Sequence, residues 1–171
     1  VDVTVKNPDG QSATKVAAFT YGQGLVQFAV LEAPFDVTVQ AGQTPPTVSA
    51  RCYHPNATES EGPAPDLIVD LGWGEPGSSP ETGWTWTGAT YTGQAGTGGN
   101  DDVWSGDLPT LAGADTYDFA FRFSFDGENW VYADRDSSTM TYKPDQAGTY
   151  TVTAPPMGLT VFSIAPSSGP T

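Results

Sequence analysis

An all-β fold, an immunoglobulin-like antiparallel sandwich, is what this sequence predicts, on three observations. Twenty Gly and fifteen Pro punctuate the 171 residues, which is the spacing of many short strands joined by turns. Apolar residues alternate with polar ones over short runs and never recur at i, i+3, i+4, i+7 over a helical length. One run, residues 117–125, places five aromatic side chains on a single face: Tyr117, Phe119, Phe121, Phe123 and Phe125. A chain of this length buries a sizeable core.

The elements follow in order. Val1, Val3 and Val5 alternate with Asp2, Thr4 and Lys6, the period of a half-buried strand. Asn7-Pro8-Asp9-Gly10 is a turn, because Pro fixes φ and Asp-Gly accepts a positive one. A return strand over 12–21 completes a hairpin, and Gly22-Gln23-Gly24 reads as a joint. Within 25–154 the strand candidates are 25–31, 35–40, 47–53, 66–73, 84–91, 102–108, 117–124, 130–134 and 149–153. In 47–53, alternation puts Val48, Ala50 and Cys52 on one face, so Cys52 reads as a small buried hydrophobe. In 117–125 the aromatic face is the predicted core, each ring contributing on the order of 2 kcal/mol of burial before entropy is counted. Arg122 lies on the opposite face and is expected to pair with Asp70, Asp118 or Asp134.

Charge narrows the partners. Twenty Asp plus Glu against six Lys plus Arg give a formal net charge of −14. Such a surface repels phosphate backbones and anionic bilayers, so neither nucleic acid nor membrane insertion is expected, and the acidity reads as a means of solubility. One Cys and one His, Cys52 and His54, leave no intramolecular disulfide and too few ligands for a structural zinc site. Twenty acids with nothing to single out two give no support to a carboxylate-pair glycosidase. A non-enzymatic role is expected, with no required cofactor.

Two kinds of site remain open. Trp84 and Trp86 point the same way on one strand, either as a stacking platform for a glycan or inward with Trp73 and the aromatic run. Trp104 and Trp130, beside loop acids, are expected to be more exposed and are further candidates for a glycan platform. Calcium wants six to eight oxygens. Asn100-Asp101-Asp102 and Asp134-Arg135-Asp136 are the candidate clusters, each also readable as solvated turn acids.

The two ends resemble the immunoglobulin-like IPT/TIG family. Residues 1–22, VDVTVKNPDGQSATKVAAFTYG, are similar to its closing hairpin, and 160–171, with Ile164-Ala-Pro-Ser-Ser-Gly-Pro-Thr171, to its opening strand. The middle, 25–154, resembles a β-sandwich module of large secreted bacterial proteins, through Leu71-Gly-Trp-Gly-Glu-Pro-Gly-Ser78, Gly83-Trp-Thr-Trp-Thr-Gly-Ala-Thr-Tyr91 and Gly99-Asn-Asp-Asp-Val103. The segment 117–134 is also similar to the aromatic strand and hairpin of starch-binding modules, with Trp130-Val-Tyr-Ala-Asp134 where that family usually reads Trp-Asp-Asn-Asn. Asp145-Gln-Ala-Gly-Thr-Tyr150 resembles the tyrosine corner of immunoglobulin folds, with one residue more than the usual spacing.

These resemblances imply an extracellular or cell-surface building block of a large modular, filament-forming or adhesive protein. Its partners would be neighbouring domains or subunits, and a cell-surface glycan remains a further candidate partner. If the chain ends where the sequence does, Val1, Val3, Val5, Val161 and Ile164 are expected to join a neighbouring subunit by strand addition. The alternative function is a carbohydrate-binding module or an accessory domain of a secreted hydrolase.

Overall fold

A computed structural model describes residues 3–15, 24–138 and 141–156. Val1, Val161 and Ile164, the remaining assembly candidates, lie outside the described residues, as does the whole of the expected opening strand over 160–171.

The first two strands, β1 (Val3–Lys6) and β2 (Ser12–Lys15), pair antiparallel with Val5 opposite Ala13. Their turn is the expected one. Gly10 takes φ 90°, and the Asp9 carboxylate accepts the Gln11 amide at 3.0 Å.

Two sheets form the sandwich. One has β3 (Phe28–Glu32), β5 (Thr47–Tyr53), β9 (Asp101–Asp107) and β8 (Thr90–Ala95) in the order β3-β5-β9-β8. The other runs β4-β12-β10-β6-β7, made of β4 (Asp36–Gln40), β12 (Gly148–Thr153), β10 (Asp115–Ser124), β6 (Ile68–Gly74) and β7 (Thr85–Gly88), with β11 (Val131–Ala133) on β10. The pairs are antiparallel except β4 and β12, which run parallel from Asp36 opposite Thr149 to Gln40 opposite Thr153.

The inner faces carry the expected core. Phe119, Phe121 and Phe123 are fully buried and pack with Val69, Leu71, Tyr150 and Val152 of their own sheet. Across the interior they meet Leu31, Val48, Ala50 and Cys52. Gly106 of β9 faces Leu71 of β6, and a Cβ there would lie 2.9 Å from the Leu71 side chain, so a residue without a side chain sets how closely the sheets approach.

Three expectations change. The strand expected over 84–91 is two strands: β7 belongs to one sheet and β8 to the other. The crossing falls at Gly88-Ala89, where the Ala89 amide still donates to Val69 at 2.8 Å. A uniform alternation hides such a crossing, because Thr, Trp and Tyr suit either sheet. The expected end at 91 is also passed: β8 continues to Ala95 through a bulge between Tyr91 and Gly93, taken up by φ 149° at Gly93. Tyr150 forms no tyrosine corner. Its hydroxyl donates to the Pro109 carbonyl at 2.7 Å, tying β12 to a connection far upstream instead of to its own turn.

Candidate functional site

The outward face of the β4-β12-β10-β6-β7 sheet has a floor of small residues. Gly72 and Gly74 on β6 and Ala120 on β10 all point away from the core, opposite in parity to Leu71 and Phe121. Large rings lie on this floor. A Cβ at Gly72 would stand 2.4 Å from the Trp86 ring, and one at Gly74 would stand 2.3 Å from that of Trp84. Trp84 and Trp86 stack with centroids 5.7 Å apart, and Trp84 Nε1 donates to the Ser78 hydroxyl at 2.8 Å. Tyr132 and Tyr142 extend the layer, 5.9 Å from Trp86 and 6.2 Å from Trp84 respectively. Ala120 is fully buried despite facing outward, which a covering layer of rings explains.

Arg122 lies within this layer. Its guanidinium carbon is 4.2 Å from the Trp86 centroid and 3.9 Å from that of Trp130, so two indoles flank one cation. Nε and Nη2 both reach Asp70 Oδ2, at 2.9 and 2.8 Å. The expected ion pair therefore forms with Asp70, the residue directly opposite Arg122 on β6.

The four candidate tryptophans fall in different places. Trp84 and Trp86 face neither the core nor open solvent. They sit on the outer sheet face, Trp84 only 8 % exposed and Trp86 shared between Trp84 and Arg122. Trp104, expected at the surface, is 8 % exposed and belongs to the core. Its parity on β9 is that of Asp102 and Gly106, the inward set, and its ring meets Tyr91 edge-on at 5.7 Å. Trp130 stays half-buried and lines a cleft of about 490 Å3 with Tyr132, Tyr142, Pro80, Glu81 and Pro144.

Negative charge reaches the cleft from Glu81 in its lining and from Asp118 and Asp134 near Tyr142. Glu81 is exposed at its rim. Burial first, then the fields of Asp118 and Asp134, push the Tyr142 hydroxyl well above the usual phenol range. That hydroxyl is buried and has no hydrogen-bond partner among the described residues. Burial also raises Tyr132, with Arg122 opposing and Glu81 adding to the effect.

The candidate calcium acids are engaged with protein groups. Asp101 pairs with Arg51 at 2.6 Å. That pair lines a second cavity, of about 350 Å3, together with Phe28 and Tyr53. Asp102 is fully buried and accepts the Ala64 amide at 2.7 Å, and burial pushes its carboxyl up to about 6. Asp134, 3 % exposed, accepts the amides of Asp136 and Lys143 at 2.8 and 2.7 Å, while Asp136 pairs with the Lys143 ammonium. Asp102 and Asp134 are thus not the solvated turn acids that their sequence context suggests. Among the described residues no group of three or more His, Cys, Asp or Glu is arranged to hold a metal ion.

A third cavity, of about 290 Å3, opens beside the sheet crossing and is lined by Thr47, Thr87, Thr90, Ser105 and Asp107. No protein-family model matches the chain, and no curated protein matches it.

Of the cleft residues, Tyr132 was legible in principle, because Trp130 and Tyr132 alternate with the inward Val131 and Ala133. Glu81 and Tyr142 come from irregular segments, where no periodicity points to them.

Proposed function

We propose that this chain is a non-enzymatic β-sandwich module of a large modular extracellular protein, a spacer that holds its neighbours apart and resists extension. The observation that carries the reading is the parallel pairing of β4, the second strand of the sandwich, with β12, its last. Tension on the chain enters at β3, which precedes β4 and pairs antiparallel with β5; once it reaches β4 and β12, it shears the hydrogen bonds of that parallel pair together instead of opening them one at a time. The order β3-β5-β9-β8 facing β4-β12-β10-β6-β7 supports an immunoglobulin-like relationship, and the IPT/TIG resemblance of the two ends supports a place within a tandem array.

The reactive groups support a passive role. The only thiol in the chain, Cys52, is fully buried, and burial followed by the charges of Asp102 and Asp101 pushes it far above the usual thiol range. The only imidazole, His54, is 9 % exposed and packs edge-on against Phe125 at 5.0 Å. Val5, 62 % exposed on a hairpin that pairs with no further strand among the described residues, supports assembly by strand addition with a neighbouring copy. The glycan-binding alternative has narrower support: of its four tryptophans, only Trp130 lines one of the three cavities described above.

Single-molecule stretching of a tandem repeat of this chain tests the spacer reading. A single high-force peak per module is expected, and Thr151→Pro in β12 should lower that force. Unfolding at low force with no effect of the substitution would sink it.

A further inference from the structure

We propose that the cleft bounded by Trp130, Tyr132, Tyr142 and Glu81 binds an alkylammonium group, the cationic end of a lysine-like or choline-like ligand. The inference is independent of the spacer reading.

Its shape and chemistry carry the argument. A cleft of about 490 Å3 is within the range of small-ligand sites, roughly 300–1,000 Å3. Three of its lining residues, Trp130, Tyr132 and Tyr142, are aromatic, and a cation that meets the face of such a ring is attracted without needing directed donors. Glu81 stands at the rim, and the fields of Asp118 and Asp134 reach Tyr142. Two cations lie nearby and each is paired: Arg122, which contacts Trp130 and Tyr132, is held by Asp70 at 2.8 Å, and Lys143, between Tyr142 and Pro144, is paired with Asp136; neither is part of the lining.

The fold already places one cation on Trp130, the Arg122 guanidinium at 3.9 Å, and the same residue lines the cleft. A net charge of −14 adds a long-range attraction for cations over neutral or anionic ligands. A neutral pyranose would gain ring stacking here but nothing from the carboxylates.

Titration of the full chain, followed by tryptophan fluorescence and calorimetry, tests this. The probes are choline, Nα-acetyl-lysine methylamide, the uncharged choline isostere 3,3-dimethyl-1-butanol, and maltose. Saturable one-to-one binding of choline or of the lysine derivative is expected, with whichever binds tighter identifying the source of the ammonium. The isostere should bind roughly tenfold more weakly.

Glu81→Gln, at an exposed rim position, should weaken ammonium binding several-fold and leave the melting temperature unchanged. Tyr132→Leu should weaken it further, with folding checked by circular dichroism. Equal binding of the isostere, affinity unaffected by Glu81→Gln, saturable binding of maltose alone, or no saturable ammonium binding to the folded chain would each overturn the proposal.

Discussion

The Phe119 ring lies across the backbone of Gly148, its directly opposed partner, so closely that a Cβ at Gly148 would sit 2.3 Å from the ring. Both residues are buried, so the ring can yield only by displacing other core side chains. Gly148→Ala is expected to cost about 1–3 kcal/mol in urea unfolding, the range for overpacking a close-packed interior. Phe119→Leu in the same background should recover part of that loss, because the smaller side chain vacates the space the methyl needs. Simple additivity of the two substitutions would contradict the contact.

Asp102 sets a pH dependence of the less common sign. Its folded carboxyl is pushed up to about 6 from an ordinary 3.8, by burial before any other cause. The folded state therefore holds the proton more tightly than the unfolded one, and this group lowers stability as pH rises from about 4 to about 6. Asp134, raised in the same direction by burial, adds to the trend. Asp102→Asn keeps an acceptor for the Ala64 amide and removes the charge. It should gain on the order of 1–2 kcal/mol at pH 7.5 and little at pH 4, read as melting temperature against pH.

Asp126 and Asp136 act in the opposite direction. Backbone and side-chain donors from Asn129 and Glu128 hold Asp126 far below the usual carboxylate range, and the Lys143 and Ser138 contacts do the same for Asp136. Their stabilisation is present above about pH 4 and is lost as pH falls below it. Asp126→Ala should therefore flatten the acid limb of the stability curve, and an unchanged limb would rule out that role.

Arg122 between Trp86 and Trp130 depends on a planar cation. Arg122→Lys keeps the charge but loses both the stacking plane and the two-nitrogen contact with Asp70. It is expected to cost about 1–2 kcal/mol and to shift tryptophan fluorescence, since both flanking indoles change surroundings. A double-mutant cycle with Asp70→Asn measures the ion pair apart from the stacking.

Cys52 should resist thiol reagents in the folded protein and react once denatured, because it is fully buried and its thiolate is disfavoured. Modification at equal rates in native and denatured samples would place it at the surface instead.

What the sequence determined was which side chains share a face. The alternation from Tyr117 to Phe125, the Val48-Ala50-Cys52 set and the Asn7-Pro8-Asp9-Gly10 turn follow from a period of two and from the φ that Pro and Gly permit, and all are local properties. The tertiary structure alone decided which sheet a strand joins and which face another layer covers. Trp84 and Trp86 form an outer aromatic layer because Gly72, Gly74 and Ala120, brought alongside by strand pairing, provide a floor flat enough for indoles. Trp104 went inward, and Asp102 with it, because β9 lies in the middle of its sheet, where one face of every strand meets the core. The cleft of Trp130, Tyr132, Tyr142 and Glu81 joins segments that only folding brings together, and no pattern along the chain encodes that meeting.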